Sequence, residues 1–186
     1  MVSQDPLLLS NETLRFNLDP DGTIPDDLII DAISKAGLWT HFSAGHTPYE
    51  TDTDITPEPG TPGHAILDQK ISNFQGMSVG QCQLFALCRG FVKVNSLRRS
   101  GVKPVILLDE ITSSLDISTE LMIHRMIDEE FTGKGHTVII VAHRLGALKE
   151  HTKPGRDAIA LMADGRLQEH IKELKPDTFE YLGKIG

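Results

Sequence analysis

Positive charge is in short supply in this sequence. The 186 residues include 18 Lys and Arg against 26 Asp and Glu, a formal charge of −8. Phosphate backbones and anionic lipid surfaces are gripped through an excess of basic side chains, so general nucleic-acid or membrane-surface binding is not expected. Cysteine is nearly lacking: Cys82 and Cys88 are the only two. That excludes a disulfide scaffold and suits a reducing compartment. Long apolar runs are lacking too. Val105–Leu108 and Val138–Ala142 are the longest strongly apolar stretches, far short of the about 20 residues that cross a bilayer. Met1–Leu9 has no basic start and is interrupted by Asp5-Pro6, so it does not read as a signal peptide. Membrane insertion and secretion are not expected of this chain by itself. No internal repeat is visible, which removes solenoids and propellers.

What is present is enough for a core, with 39% hydrophobic and 24% charged residues. Asp19-Pro20-Asp21-Gly22 is a turn cluster. Asp26–Leu38 follows, with Leu28, Ile29, Ala32, Ile33 and Ala36 at helical spacing and Gly37 as a stop. From about His41 to Gly63 the composition turns to Thr, Pro, Gly and acidic residues, which predicts a mobile surface loop. A second helix is predicted from Val79 to about Val94, and polar, basic Asn95–Val102 reads as a loop or helix end. Val105–Leu108 reads as a strand buried on both faces of a parallel sheet. Asp116–Phe131 has the apolar spacing of a helix. Thr137–Ala142 and Ala158–Met162 read as two further buried strands, and Asp164-Gly165 signals a hairpin into Arg166–Glu169. Strands alternating with helices argue for an α/β fold with a mainly parallel sheet.

Several motifs carry chemistry. Val105–Leu108 runs into Asp109-Glu110, which places two carboxylates at the C-terminal edge of a sheet, where open α/β sheets bind ligands. One carboxylate can hold magnesium and the other can take a proton from water; an acidic turn after a strand is the competing reading. Ser78-Val79-Gly80-Gln81 opens a helix, where unpaired amides favour a phosphate. The same residues also make a capping box, Ser78 with Gln81 three positions on. Thr112-Ser113-Ser114-Leu115-Asp116 follows the two carboxylates, and Asp116 suits a helix cap. His143 comes directly after the strand Thr137–Ala142, on the same edge as Asp109 and Glu110. The other His residues show no metal-ligand spacing.

The order of these motifs decides between the readings. Gln4, Ser78–Gln81, Asp109-Glu110, Ser114-Leu115-Asp116 and His143 together resemble the ATPase cassette of ABC transporters over roughly Met1 to Glu169. Val2-Ser3-Gln4-Asp5-Pro6 is similar to the family's Q-loop and Met77-Ser78-Val79-Gly80-Gln81 to its signature. Val105–Glu110 is similar to Walker B, Ser114-Leu115-Asp116 to the D-loop, and Val141-Ala142-His143-Arg144 to the H-loop. Val79, where the signature usually has Gly, and the stretch Leu14–Pro20 resemble the second cassette of the multidrug-resistance-associated, C-type subfamily. Walker A is missing: no G-x-x-x-x-G-K-[ST] occurs in the sequence. The aromatic residue that stacks on adenine precedes Walker A in the family, so it is missing as well.

The resemblance implies a P-loop NTPase-like (RecA-like), mainly parallel sheet with a helical signature subdomain, N-terminally truncated. Residues 1–186 would be a partial ABC ATPase domain, with a helical subdomain at about 20–94 and a Walker B to H-loop core at about 102–170. It further implies ATP and Mg2+ as cofactors. Asp109 and Gln4 would meet the metal, Glu110 would be the general base, and His143 would hold the γ-phosphate. Ser78, Val79, Gly80 and Gln81 would reach nucleotide on a partner cassette, and Asp116 would act across the same interface. The implied partners are a second nucleotide-binding domain in a head-to-tail dimer and the transmembrane domains of an exporter, with no nucleic acid. The implied place is the cytosolic face of a membrane, or the cytoplasm if the chain is expressed alone. An ATPase by resemblance, the chain alone is expected to be inactive without Walker A, as a truncated product or an incomplete gene model. Two alternatives remain open: a non-catalytic binding module that pairs with an intact cassette, and a soluble ABC-type ATPase of DNA repair or translation. The acidic charge and the lack of coiled-coil heptads weigh against the latter.

Overall fold

The computed structural model describes residues 7–44, 65–112, 115–142, 149, 151–175 and 177–185. The chain divides into two compact units, with the boundary between Val141 and Ala142.

The first unit begins with a short helix, α1 (Leu14–Leu18), capped by Thr13, whose hydroxyl accepts from the Phe16 amide at 3.0 Å. The Asn17 side-chain amide exchanges hydrogen bonds with the Leu9 backbone in both directions at 2.9 Å. Helix α2 (Asp26–Lys35) starts with Asp26 and Asp27, which complement the positive end of its dipole. It ends in a Schellman turn: Leu38 N–H donates to Ile33 at 3.0 Å and Gly37 N–H to Ser34 at 2.9 Å. That turn holds residue 37 at φ +68°, which glycine adopts without strain. Helix α3 (Trp39–Ser43) follows at once and buries Phe42 edge-on between Phe74 and Phe85.

Helix α4 (Val79–Arg99) is the central beam. It buries Leu84, Phe85, Leu87, Cys88, Phe91 and Val92 against α1 and α2. Its Arg89 donates to the carbonyls of Asn17 at 2.6 Å and Leu7 at 2.8 Å, which ties the N-terminal segment to the helix. Of the two readings of Asn95–Val102, loop or helix end, the second holds: α4 runs past Val94 as far as Arg99. Arg98 and Arg99 there face the negative end of the dipole and favour the extra turn.

Strand β1 (Val105–Asp109) pairs in parallel with β2 (Thr137–Val141), and helix α5 (Ile117–Glu130) makes the crossover between them. Ile106, Leu108, Val138 and Ile140 face the shared core. The opposite face corrects the expectation of strands buried on both sides. Val105 is 59% exposed, Ile139 50% and Val141 42%. Helices cover one face of this pair, and among the described residues β2 has β1 as its sole ladder neighbour. The mobile loop expected over His41–Gly63 lies outside the described residues from position 45 to its end, while His41–Ser43 is helical.

In the second unit β3 (Ile159–Ala163) and β4 (Arg166–Ile171) form the expected hairpin. Its two-residue turn has positive φ at both Asp164 (50°) and Gly165 (70°), the backbone that Asp-Gly favours. The pairing is antiparallel, and Met162 and Leu167 are exposed, so β3 is not the buried strand that its apolar run predicts. Helix α6 (Thr178–Ile185) ends the described chain. The architecture is thus mixed helix and strand, with a small parallel pair and a separate antiparallel hairpin.

Candidate functional site

The C-terminal edge of the parallel pair carries the first group of candidates. Asp109 stands opposite Val141 in the register, and the Glu110 amide extends the ladder by donating to the Val141 carbonyl at 3.0 Å. Glu110 has φ +49°, a left-handed conformation that is uncommon for a residue with a Cβ. Backbone strain of this kind gathers at functional sites, because a scaffold must hold it in place. Asp109 and Glu110 are both half-buried. The sequence signals the two carboxylates; the strained turn that aims the second one has no signal in it.

The second group opens α4. Ser78 and Gln81 form the expected capping box: the Gln81 amide donates to Ser78 Oγ at 3.2 Å, and the Ser78 amide donates to Gln81 Oε1 at 2.8 Å. The amides of Val79 and Gly80, in the first turn, have no intrahelical acceptor and remain the ones suited to an anion. The Val79 side chain is 64% exposed, whereas Gly80 is buried. His41 Nδ1 lies 3.5 Å from Gln81 Nε2, a neighbour that no sequence spacing announces.

The third group opens α5. The Asp116 carboxylate accepts from the Thr119 amide at 3.0 Å, from Thr119 Oγ1 at 2.8 Å and from the Ser118 hydroxyl. These bonds hold its pKa well below the usual carboxylate range, with the Ser118 hydroxyl contributing most. The expected helix cap is therefore formed. Gly80 lies against Thr119, so the starts of α4 and α5 are neighbours, which brings signature-like Gly80 to the turn that Asp116 caps. Gln4, Ser113, Ser114 and His143 lie outside the described residues.

Among the described residues no cluster of three or more His, Cys, Asp and Glu is gathered as a metal cage. Magnesium is commonly held by one or two carboxylates together with phosphate and water oxygens. The hard carboxylate oxygens of half-buried Asp109, at the C-terminal end of β1, fit that pattern, with Glu110 beside it left to act as a base.

No family model matches the chain. Curated proteins do. The chain is 36% identical over 91% of its length to multidrug resistance protein mrp-7 of Caenorhabditis elegans. It is 31% identical over 91% to ABC transporter C family member 9 of Arabidopsis thaliana, and 31% identical over 94% to ATP-binding cassette sub-family C member 8 of Homo sapiens. Each match covers 9% of the relative, so the chain spans about a tenth of the length of the curated relatives it matches. Over nine-tenths of its residues, therefore, this chain is homologous to a stretch of the C-type, multidrug-resistance-associated ABC transporters, and it resembles their nucleotide-binding cassette without the Walker A loop.

Proposed function

We propose that the chain is part of the ATP-binding cassette of an ABC exporter, coupling ATP binding and hydrolysis to transmembrane transport in the full-length protein. The observation that carries this reading is Glu110, a carboxylate held at positive φ at the end of a parallel strand. A P-loop NTPase fold would comprise a helical subdomain at about 20–94 and a core at about 102–170. Glu110 would accept the proton of the water that attacks the γ-phosphorus, and His143 would hold that phosphate. Asp109 and Gln4 would hold magnesium. The metal would neutralise charge on the transferring phosphate.

Ser78, Val79, Gly80 and Gln81 would meet nucleotide bound to a partner cassette in a head-to-tail dimer, with Asp116 at the same interface. Their adjacency at the starts of α4 and α5 supports that grouping. Transmembrane domains would be the second partner, which places the chain at the cytosolic face of a membrane. An apolar groove lined by Leu8, which follows shortly after Gln4 in the chain, and by Phe42, Ile71, Phe74 and Met77 supports a surface for them. A second reading is a non-catalytic module that pairs with an intact cassette.

Binding and turnover test the proposal. Phosphate affinity in P-loop enzymes comes largely from Walker A amides and lysine, so the chain alone should bind ATP-magnesium weakly by calorimetry. It should turn over ATP no faster than its Glu110→Gln variant, because a base without a positioned phosphate accelerates little. Mixed with an intact C-type cassette, it should associate in an ATP-dependent manner that Ser78→Ala weakens. A low-micromolar dissociation constant for the chain alone, or association indifferent to ATP, would overturn the reading.

A further inference from the structure

Gly80 lies in the first turn of α4 and Thr119 in the first turn of α5. A Cβ built on Gly80 would stand 2.9 Å from Thr119 Cγ2, closer than Cβ atoms tolerate, and a tight 3.3 Å from its Oγ1. Threonine is branched at Cβ, so its methyl leaves that place only if χ1 rotates. Rotation is opposed because Thr119 Oγ1 donates to Asp116 Oδ2 at 2.8 Å. A side chain at position 80 therefore forces a choice. Either Thr119 turns and the Asp116 cap loses a charge-assisted hydrogen bond, or the two helix starts move apart. One residue earlier there is no such conflict, since Val79 projects into solvent.

We infer that Thr119 is a positioning residue that latches the start of α4 to the Asp116 cap of α5, and that position 80 is glycine to admit it. The glycine is then required from inside the chain, whatever binds outside. The consequence for nucleotide rests on the cassette reading above: Ser78–Gln81 and Asp116 would face a partner as one rigid edge instead of two independent segments.

Hydrogen exchange of the full chain, without nucleotide, tests the latch on Gly80→Ala, Thr119→Ser and the double variant. Serine keeps the hydroxyl that bonds Asp116 and removes the methyl that meets position 80. Gly80→Ala should speed exchange of the Thr119 amide on the order of tenfold, the loss of one hydrogen bond at the cap. The double variant should return to within about twofold of Thr119→Ser alone. An effect of Gly80→Ala that is as large in the serine background, or none at either the Thr119 amide or the Gln81 amide at the start of α4, overturns the latch. If Gly80→Ala does not fold, recovery of a folded chain in the double variant supports the latch, and failure of both overturns it. Because nucleotide is left out, failure of the latch is distinct from failure of the cassette reading, which is read from ATP.

Discussion

Asp116 is exposed, yet its carboxylate is engaged by three donors from the first turn of α5. Each donor favours the charged form, and so its pKa is lowered in the folded chain. A lowered carboxylate pKa adds stability that is present above the unfolded value, and that is lost as the pH falls through the folded one. The α5 cap should therefore hold at neutral pH and begin to loosen only well below about 4, the ordinary aspartate value. The side-chain carboxyl carbon of Asp116, followed by NMR, should titrate below the aspartate range, and Ser118→Ala should move its midpoint upward. A midpoint at the ordinary value that Ser118→Ala leaves unchanged would contradict this account. Residues of this kind are partly legible in sequence. Ser78 with Gln81, and Asp116 at a helix start, announce their caps because capping acts over three residues. The Gly80–Thr119 contact joins positions 39 apart, and Glu110's positive φ depends on the turn around it. Neither leaves a local pattern.

At the scale of elements, α2, α4 and α5 are fastened together through Glu130. Its buried carboxylate pairs with Lys35 of α2 at 3.0 Å and with Lys134, just after α5. Both ammonium groups also lie over the Phe91 ring of α4, at 5.2 and 4.9 Å from its centre. Burial pulls the Lys35 pKa down, but its hydrogen bonds to Asp31 and Glu130 outweigh that, and the net shift is upward. A raised lysine pKa means that its stabilising share is complete below the ordinary value of 10.5 and fades as pH rises beyond it. Glu130→Gln removes the counter-charge that Lys35 and Lys134 share and leaves Lys35 paired with Asp31 alone. It should cost about 1–3 kcal/mol in denaturant unfolding at pH 7, and the gap to the parent chain should narrow as the pH rises beyond 10.5 and Lys35 discharges. A variant as stable as the parent would show that the clamp carries nothing. The helices in this clamp are legible from their 3.6-residue periodicity. Short α1 and α3 are not, because they are held by tertiary bonds such as those of Arg89 and by the Phe42 cluster. The strands are legible as strands but not in their coverage. An apolar run such as Val105–Leu108 tells which residues prefer a sheet, not what packs on its second face.

For the whole molecule, that second face is the feature with the largest consequence. Parallel sheets ordinarily carry helices on both sides, yet Val105, Ile139 and Val141 are 59, 50 and 42% exposed on one side of the β1–β2 pair. The outer edge of β2 also has no ladder partner among the described residues. An apolar face next to an open strand edge is a template for pairing with another chain. The formal charge of −8 opposes association through repulsion between copies, and salt screens repulsion over about a Debye length. The isolated chain should therefore self-associate with rising concentration, and more strongly at high salt than at low. Ile139→Glu places a charge at the centre of the bare face, on a residue already half exposed. It should shift sedimentation toward monomer at little cost to the core, because Ile106, Leu108, Val138 and Ile140 face the other way. Amides of Thr137–Val141 should exchange quickly in that monomer, since one ladder neighbour protects a strand poorly. A parent chain that stays monomeric across concentration and salt, with slow exchange through β2, would mean that the face is covered in solution and that the exposed positions are not a pairing surface.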